Sequence, residues 1–146
     1  MVPPSAQYLE VKCSKESRII NCNDIMFIEA KNKQTIVYLK DQSIIETDHL
    51  LQWYQERLPP PDFCRSHRSY IVNFNHIDVV GKDHYALKGG IKVPVSNSKR
   101  NYSRECLKIF LEKSKKYSLA KKYLLLLKNF IHSQISRFTP NKRFCI

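Results

Sequence analysis

Residues 62–73 read Asp62-Phe63-Cys64-Arg65-Ser66-His67-Arg68-Ser69-Tyr70-Ile71-Val72-Asn73. Four donor-bearing side chains, Arg65, His67, Arg68 and Ser69, stand just before an apolar, strand-forming run. Arginine carries a forked donor set that fits a phosphate or the O6/N7 edge of guanine. Serine and histidine add donors for phosphate oxygens. Donors clustered on a loop that a rigid strand holds are what base-edge reading requires. A structural role competes: Arg65 can pair with a carboxylate, and His67 can pack and hydrogen-bond. His67 taken alone reads as structural. Arg68, with Arg65 and Ser69 beside it, reads as functional.

On the N-terminal side, residues 7–46 read as β-structure. Tyr8, Val11 and the runs 18–22, 25–30, 35–39 and 43–46 are rich in Ile, Val, Tyr and Thr, with polar punctuation at 14–17, 21–24, 31–34 and 41–42. Asp48 then reads as an N-cap, and Leu50, Leu51, Tyr54 and Leu58 form a helical stripe that Pro59-Pro60-Pro61 stops. On the C-terminal side lie short strands at 70–72, 78–80, 85–87 and 91–95, the last two joined as a hairpin by Gly89-Gly90. No crossover-length helices alternate with these strands, so the pairing should be mostly antiparallel. From about residue 96 the period becomes 3.6. One stripe holds Leu107, Phe110, Leu111 and Ser114. A second holds Ala120, Leu124, Leu127, Ile131, Ile135 and Phe138, with Pro140 ending it. The expectation is a mostly β domain over 1–104 and two basic amphipathic helices over 105–146.

The chain has 146 residues, 25 Lys plus Arg against 13 Asp plus Glu, and a net charge of +12. The excess is local. From residue 99 onward there are 13 basic and two acidic residues, whereas residues 1–98 are nearly balanced, with 12 and 11. That asymmetry points to a polyanion partner, nucleic acid before anionic membrane. No apolar run approaches the ~20 residues of a spanning helix, and the N-terminus lacks the h-region of a secretory signal. Cysteines 13, 22, 64, 106 and 145 form no CxxC pair and read as reduced thiols, so the expected compartment is the cytoplasm. No Cys/His pair has metal-ligand spacing, so neither a metal site nor a cofactor is expected. Three glycines leave no Gly-rich phosphate loop.

Phe63-x-Arg65-x-His67-Arg68-Ser69-Tyr70-Ile71-Val72-Asn73 resembles the central signature of the LytTR DNA-binding domain. Upstream, Asp24-Ile25-Met26-Phe27-Ile28-Glu29-Ala30 resembles the family's strand leading into its first DNA-facing loop. Downstream, Ile77 and Val93-Pro94-Val95-Ser96 resemble its closing strand. The resemblance covers about residues 6–104. It implies an elongated stack of small antiparallel sheets with one short helix, followed here by a basic α-helical extension. It also implies a bacterial transcription regulator, of the kind often found as a response regulator output domain, whose loops enter successive major grooves of paired repeats as two protomers.

The resemblance assigns residues by position. Base contacts fall to Lys31 and Lys33 in the first loop, Arg68 in the second and Asn97 in the third. Many members carry arginine at that third place; asparagine favours an adenine edge. Phosphate contacts fall to Arg65, Ser69, Ser96, Lys99 and Arg100. The apolar positions expected inside are Phe27, Ile36, Val37, Leu50, Leu51, Tyr54, Leu58, Phe63, Tyr70, Val72, Ile77 and Val95. Asn73 is expected to satisfy backbone groups at a strand end.

Two departures from the family pattern stand out. Only a short lead precedes Tyr8, so a standalone domain without a receiver is expected, and the partner supplying a signal would be a separate signalling protein or a membrane-bound antagonist. The extension is not part of the usual domain. It can dimerise the protein or dock on the β-domain, add phosphate contacts as a basic arm, or lie on a membrane. The alternative function is thus a membrane-surface or protein-interaction module using that extension. An enzyme is not expected: no nucleophile, base and orienter fall together, and Cys64 three residues from His67 is weak evidence for one.

Overall fold

The computed structural model describes residues 7–138. Its elements in order are β1 (Tyr8–Cys13), β2 (Glu16–Asn21), β3 (Ile25–Lys31), β4 (Gln34–Leu39), β5 (Ile44–Thr47), α1 (Leu51–Arg57), β6 (Phe63–His67), β7 (Tyr70–Asn73), β8 (Ile77–Val80), β9 (His84–Leu87), β10 (Lys92–Pro94) and α2 (Arg100–Phe138). The strands form three sheets: the β1-β2 hairpin, a five-stranded sheet in the order β5-β4-β3-β7-β6, and a three-stranded sheet in the order β10-β9-β8. Every pairing is antiparallel. The fold is mostly β with one short helix and a C-terminal helix, as the sequence pattern implies.

The central sheet has two buried faces because side chains alternate along each strand. On β3, Ile28 faces a core with Val37, Ile45, Ile71, the β1-β2 residues Val11 and Ile20, and Leu51, Tyr54 and Leu58 of the α1 segment. Phe27 faces the opposite core, with Val72, Cys64, Phe74, Tyr85, Leu87, Val93 and Val95. Leu107 and Phe110 of α2 pack against this second core, and the Phe110 ring lies 5.6 Å from that of Phe74. By its contacts the chain divides into two compact units, one ending at Phe110 and the other beginning at Leu111.

Several expectations are corrected. Asp48 is not the N-cap of α1; Leu50 holds that place with extended backbone and no side-chain cap, while the Asp48 N–H donates to the Lys12 carbonyl. Leu50 is therefore outside the helical repeat and 75% exposed, not in the core. Ile36, Phe63, Tyr70 and Ile77 are half-buried, while the other expected core positions are buried. Residues 63–67 are a strand, where a loop was expected. The inward positions Cys64 and Ser66 are buried, but such small side chains give no apolar alternation in the sequence. The extension forms one helix rather than two: no Gly or Pro lies between residues 100 and 138 to break it. The side chain of Phe138, and Pro140, fall outside the described residues. The Gly89-Gly90 hairpin stands as read, with both glycines at positive φ (91° and 81°), where a Cβ would be strained.

Asn73 is fully buried and does what its position implies. Its Nδ2 donates to the Ile25 carbonyl (2.8 Å) and its Oδ1 accepts from the Asn75 N–H (3.0 Å).

Candidate nucleic-acid interface

Three turns meet at one end of the central sheet. The first joins β3 to β4 through Asn32 and Lys33, both at positive φ (50° and 66°), the geometry of a type I′ hairpin. The second joins β6 to β7 through Arg68 and Ser69, with His67 paired to Tyr70. These two turns are tied by the Ala30 N–H, which donates to the Ser69 carbonyl (2.8 Å). The third follows β10 and enters a 3-10 turn at Asn97–Lys99. It is tied to β6 by the Ser96 N–H donating to the Ser66 carbonyl (2.9 Å) and by Ser66 Oγ donating to the Pro94 carbonyl (2.9 Å).

This convergence brings the expected site residues onto one rim. Lys31, Lys33 and Arg68 are exposed, and no ion pair or hydrogen bond engages their side chains among the described residues. Asn97 is exposed too, and its Oδ1 accepts from Arg100 Nη2 (2.7 Å). The bond leaves the two Nδ2 donors and one lone pair on Oδ1 for a ligand. The orientation of the amide follows from this bond.

Arg65 is committed differently. Its Nη2 donates to the Arg68 carbonyl (2.6 Å) and its Nη1 to Gln55 Oε1 (3.4 Å), while Nε is buried without a partner. It braces the second turn. His67 does the same from the other side: the Ser69 N–H donates to His67 Nδ1 (3.1 Å), which makes Nδ1 the acceptor and places the ring proton on Nε2. Ser69 is half-buried beside it. Ser96 Oγ lies 3.3 Å from Ser98 Oγ, and Lys99 Nζ sits 5.6 Å from the Tyr102 ring centroid, within cation–π reach.

Glu29 was not among the expected site residues. It accepts from Tyr38 Oη (2.8 Å) and Tyr70 Oη (2.6 Å), cross-linking β3, β4 and β7 two residues from Lys31. Its only trace in the sequence is one acid in the apolar run 25–30, because its partners lie 9 and 41 residues away. The Tyr38 hydroxyl is pushed up to about 12, by burial first and Glu29 second. Tyr70 is pushed up to about 12, by the Glu29 hydrogen bond first and burial second. Both folded values lie above the ordinary 10, so the stability these phenols contribute is present below pH 10 and lost as pH rises through about 12. In Glu29→Gln the two phenols are expected to ionise closer to 10, read as tyrosinate absorbance during an alkaline titration. An unchanged titration would remove Glu29 as the cause.

The Cys64 thiol is buried and pushed up to about 12, mainly by burial and next by Cys106, so it is a poor nucleophile despite His67 nearby in sequence. Among the described residues, no group of three or more His, Cys, Asp or Glu is placed to hold a metal.

Comparison with known proteins places this architecture. The model of the LytTr DNA-binding domain matches residues 15–108. The chain therefore belongs to the LytTR family, whose domains are DNA-binding modules of transcription regulators and not enzymes. It is 35% identical over 101 residues to the transcriptional regulatory protein YpdB of Escherichia coli, covering 64% of this chain and 41% of that protein. It is 30% identical over 96 residues to the sensory transduction protein LytT of Bacillus cereus, covering 62% of this chain and 37% of that one. The chain thus spans about two fifths of the length of these relatives. Among solved structures, the LytTr DNA-binding domain of a methyl-accepting/DNA response regulator from Bacillus cereus superposes with a TM-score of 0.62 at 31% identity, over 68% of this chain and 95% of that one.

Proposed function

We propose that this chain is a sequence-specific reader of double-stranded DNA in a bacterial transcription regulator. The observation that carries the reading is the tying of three turns to one rim, with Lys31, Lys33, Arg68 and Asn97 projecting from it. In this reading those four side chains meet base edges in successive major grooves. Ser69, Ser96, Lys99 and Arg100 meet phosphates that set the register. Arg65 adds a phosphate contact only through donors not spent on the Arg68 carbonyl and Gln55. Asn97, with its amide held by Arg100, donates to N7 of adenine and accepts from N6 through its remaining lone pair. Two copies occupy repeated half-sites as a homodimer on DNA, in the cytoplasm. The relatives' own descriptions, as regulatory and sensory transduction proteins, support this reading.

The test is selection from a randomised duplex pool with the full chain. The expected product is a pair of short repeats spaced by about one or two helical turns. Binding that follows salt alone and yields no motif would overturn the reading.

The extension should also matter to affinity. Residues 111–146 carry nine basic residues and one acidic one. A chain ending at Phe110 keeps Leu107 and Phe110 in the second core and sheds those charges. It is expected to bind the selected duplex more weakly. The slope of log K against log salt should be shallower by roughly 0.9 for each phosphate that the shorter chain no longer neutralises. Equal affinity and slope for the two chains would remove the extension from DNA binding.

A further inference from the structure

The unit beginning at Leu111 presents an apolar surface that nothing among the described residues covers. Tyr123, Leu124, Leu126, Leu127, Phe130 and Ile131 are 38–64% exposed on α2. At about 100° per residue these positions occupy close to half the circumference of the helix. Lys121, Lys122 and Lys128 occupy the other half, with Leu125 as the one large apolar residue among them. No acidic residue follows Glu112 in the chain. No helix among the described residues is long and apolar enough to cross a membrane.

Three occupants can be weighed by charge and width. DNA neutralises lysines but leaves a bare apolar face in water. A second copy can bury the face, with Tyr117, Leu124 and Ile131 along the seam. In a parallel pair Lys116 then faces the partner's Lys121, and in an antiparallel pair Lys121 faces the partner's Lys128, with no acid nearby to compensate. An anionic bilayer surface satisfies both halves at once. Its acyl boundary takes a broad apolar arc, wider than a two-stranded seam needs, and its phosphates take the lysines at the rim.

We infer that this part of α2 is an interfacial helix that lies flat on a surface rich in anionic phospholipid. The proposal does not rest on base reading by the three turns, and it is measured without DNA.

The test is flotation of the full chain with vesicles of phosphatidylcholine and phosphatidylglycerol, compared with phosphatidylcholine alone. Binding to the anionic vesicles is expected, with at least about ten-fold weaker binding to the neutral ones. Replacing Lys121, Lys122 and Lys128 by serine should weaken anionic binding about 100-fold, at roughly five-fold for each charge. Leu127→Glu/Ile131→Glu should abolish flotation, whereas Leu125→Glu on the polar half should change it less than about two-fold. Far-UV circular dichroism checks that the helix persists in each variant. No flotation at low salt would overturn the proposal. So would flotation insensitive to Leu127→Glu/Ile131→Glu, which would mean charge attraction alone. A solution oligomer that this double variant converts to monomer would assign the face to a second copy and overturn it as well.

Discussion

The Arg68→Ala/Asn97→Ala double variant is expected to lose about 2–6 kcal/mol of binding to the selected duplex, from about 1–3 kcal/mol for each well-formed base contact. Binding to a scrambled duplex should change far less, because nonspecific affinity rests on phosphate contacts. The structure supplies an internal control. The Arg68 side chain projects freely, whereas its backbone carbonyl anchors Arg65. Truncating Arg68 therefore leaves the turn intact, and the melting temperature should stay within a degree or two of the parent. Arg65→Ala, by contrast, removes the donor from that carbonyl and empties the space against Gln55. It should lower the melting temperature as well as specific binding. Fluorescence anisotropy against both duplexes, with thermal melts alongside, separates the two behaviours. If Arg68→Ala/Asn97→Ala weakens both duplexes equally, these side chains do not read bases.

How far the sequence discloses this site depends on which interactions are local. The Gly89-Gly90 hairpin and the helical stripe through Leu51, Tyr54 and Leu58 are legible because each rests on residues within a turn or two of one another. The β6 strand is not, since its buried positions, Cys64 and Ser66, lack the bulk that marks an inward face. Nor is the brace from Arg65, which looks like one more free phosphate donor until the carbonyl it holds is seen. The resemblance to LytTR domains assigns Lys31, Lys33, Arg68 and Asn97. Only the structure shows what gathers them: the Ala30–Ser69 and Ser66–Ser96 backbone bonds, each spanning tens of residues. Glu29 is opaque for the same reason, its two tyrosines coming from different strands.

The contrast between the N-cap residue of α1 and a residue inside the helix carries the second large effect. Leu50 and Tyr54 read alike in the sequence as members of one apolar stripe, yet they differ completely in environment. Tyr54 is fully buried, its hydroxyl 2.6 Å from Thr47 Oγ1 and its ring edge-on to Trp53 at 5.0 Å. It belongs to the core that joins α1, the β1-β2 hairpin and one face of the central sheet. Tyr54→Ala removes a whole ring from that junction and strands the Thr47 hydroxyl with only the Thr35 carbonyl at 3.2 Å. The expected loss is about 3–5 kcal/mol, the usual range for an aromatic truncated in a core. For a domain with a total stability of roughly 5–15 kcal/mol, that is enough to leave a marginal protein partly unfolded. Tyr54→Phe keeps the ring and should cost only about 1 kcal/mol, because Thr47 retains one partner. Leu50→Ala should fall within about 0.5 kcal/mol of the parent, as its side chain already faces water. Urea unfolding of the three variants measures all of this. Equal losses for Leu50→Ala and Tyr54→Ala would mean that the cap residue is buried and that α1 begins a turn earlier. Near-parent stability of Tyr54→Ala would mean that the first core does not hold the hairpin and the sheet together.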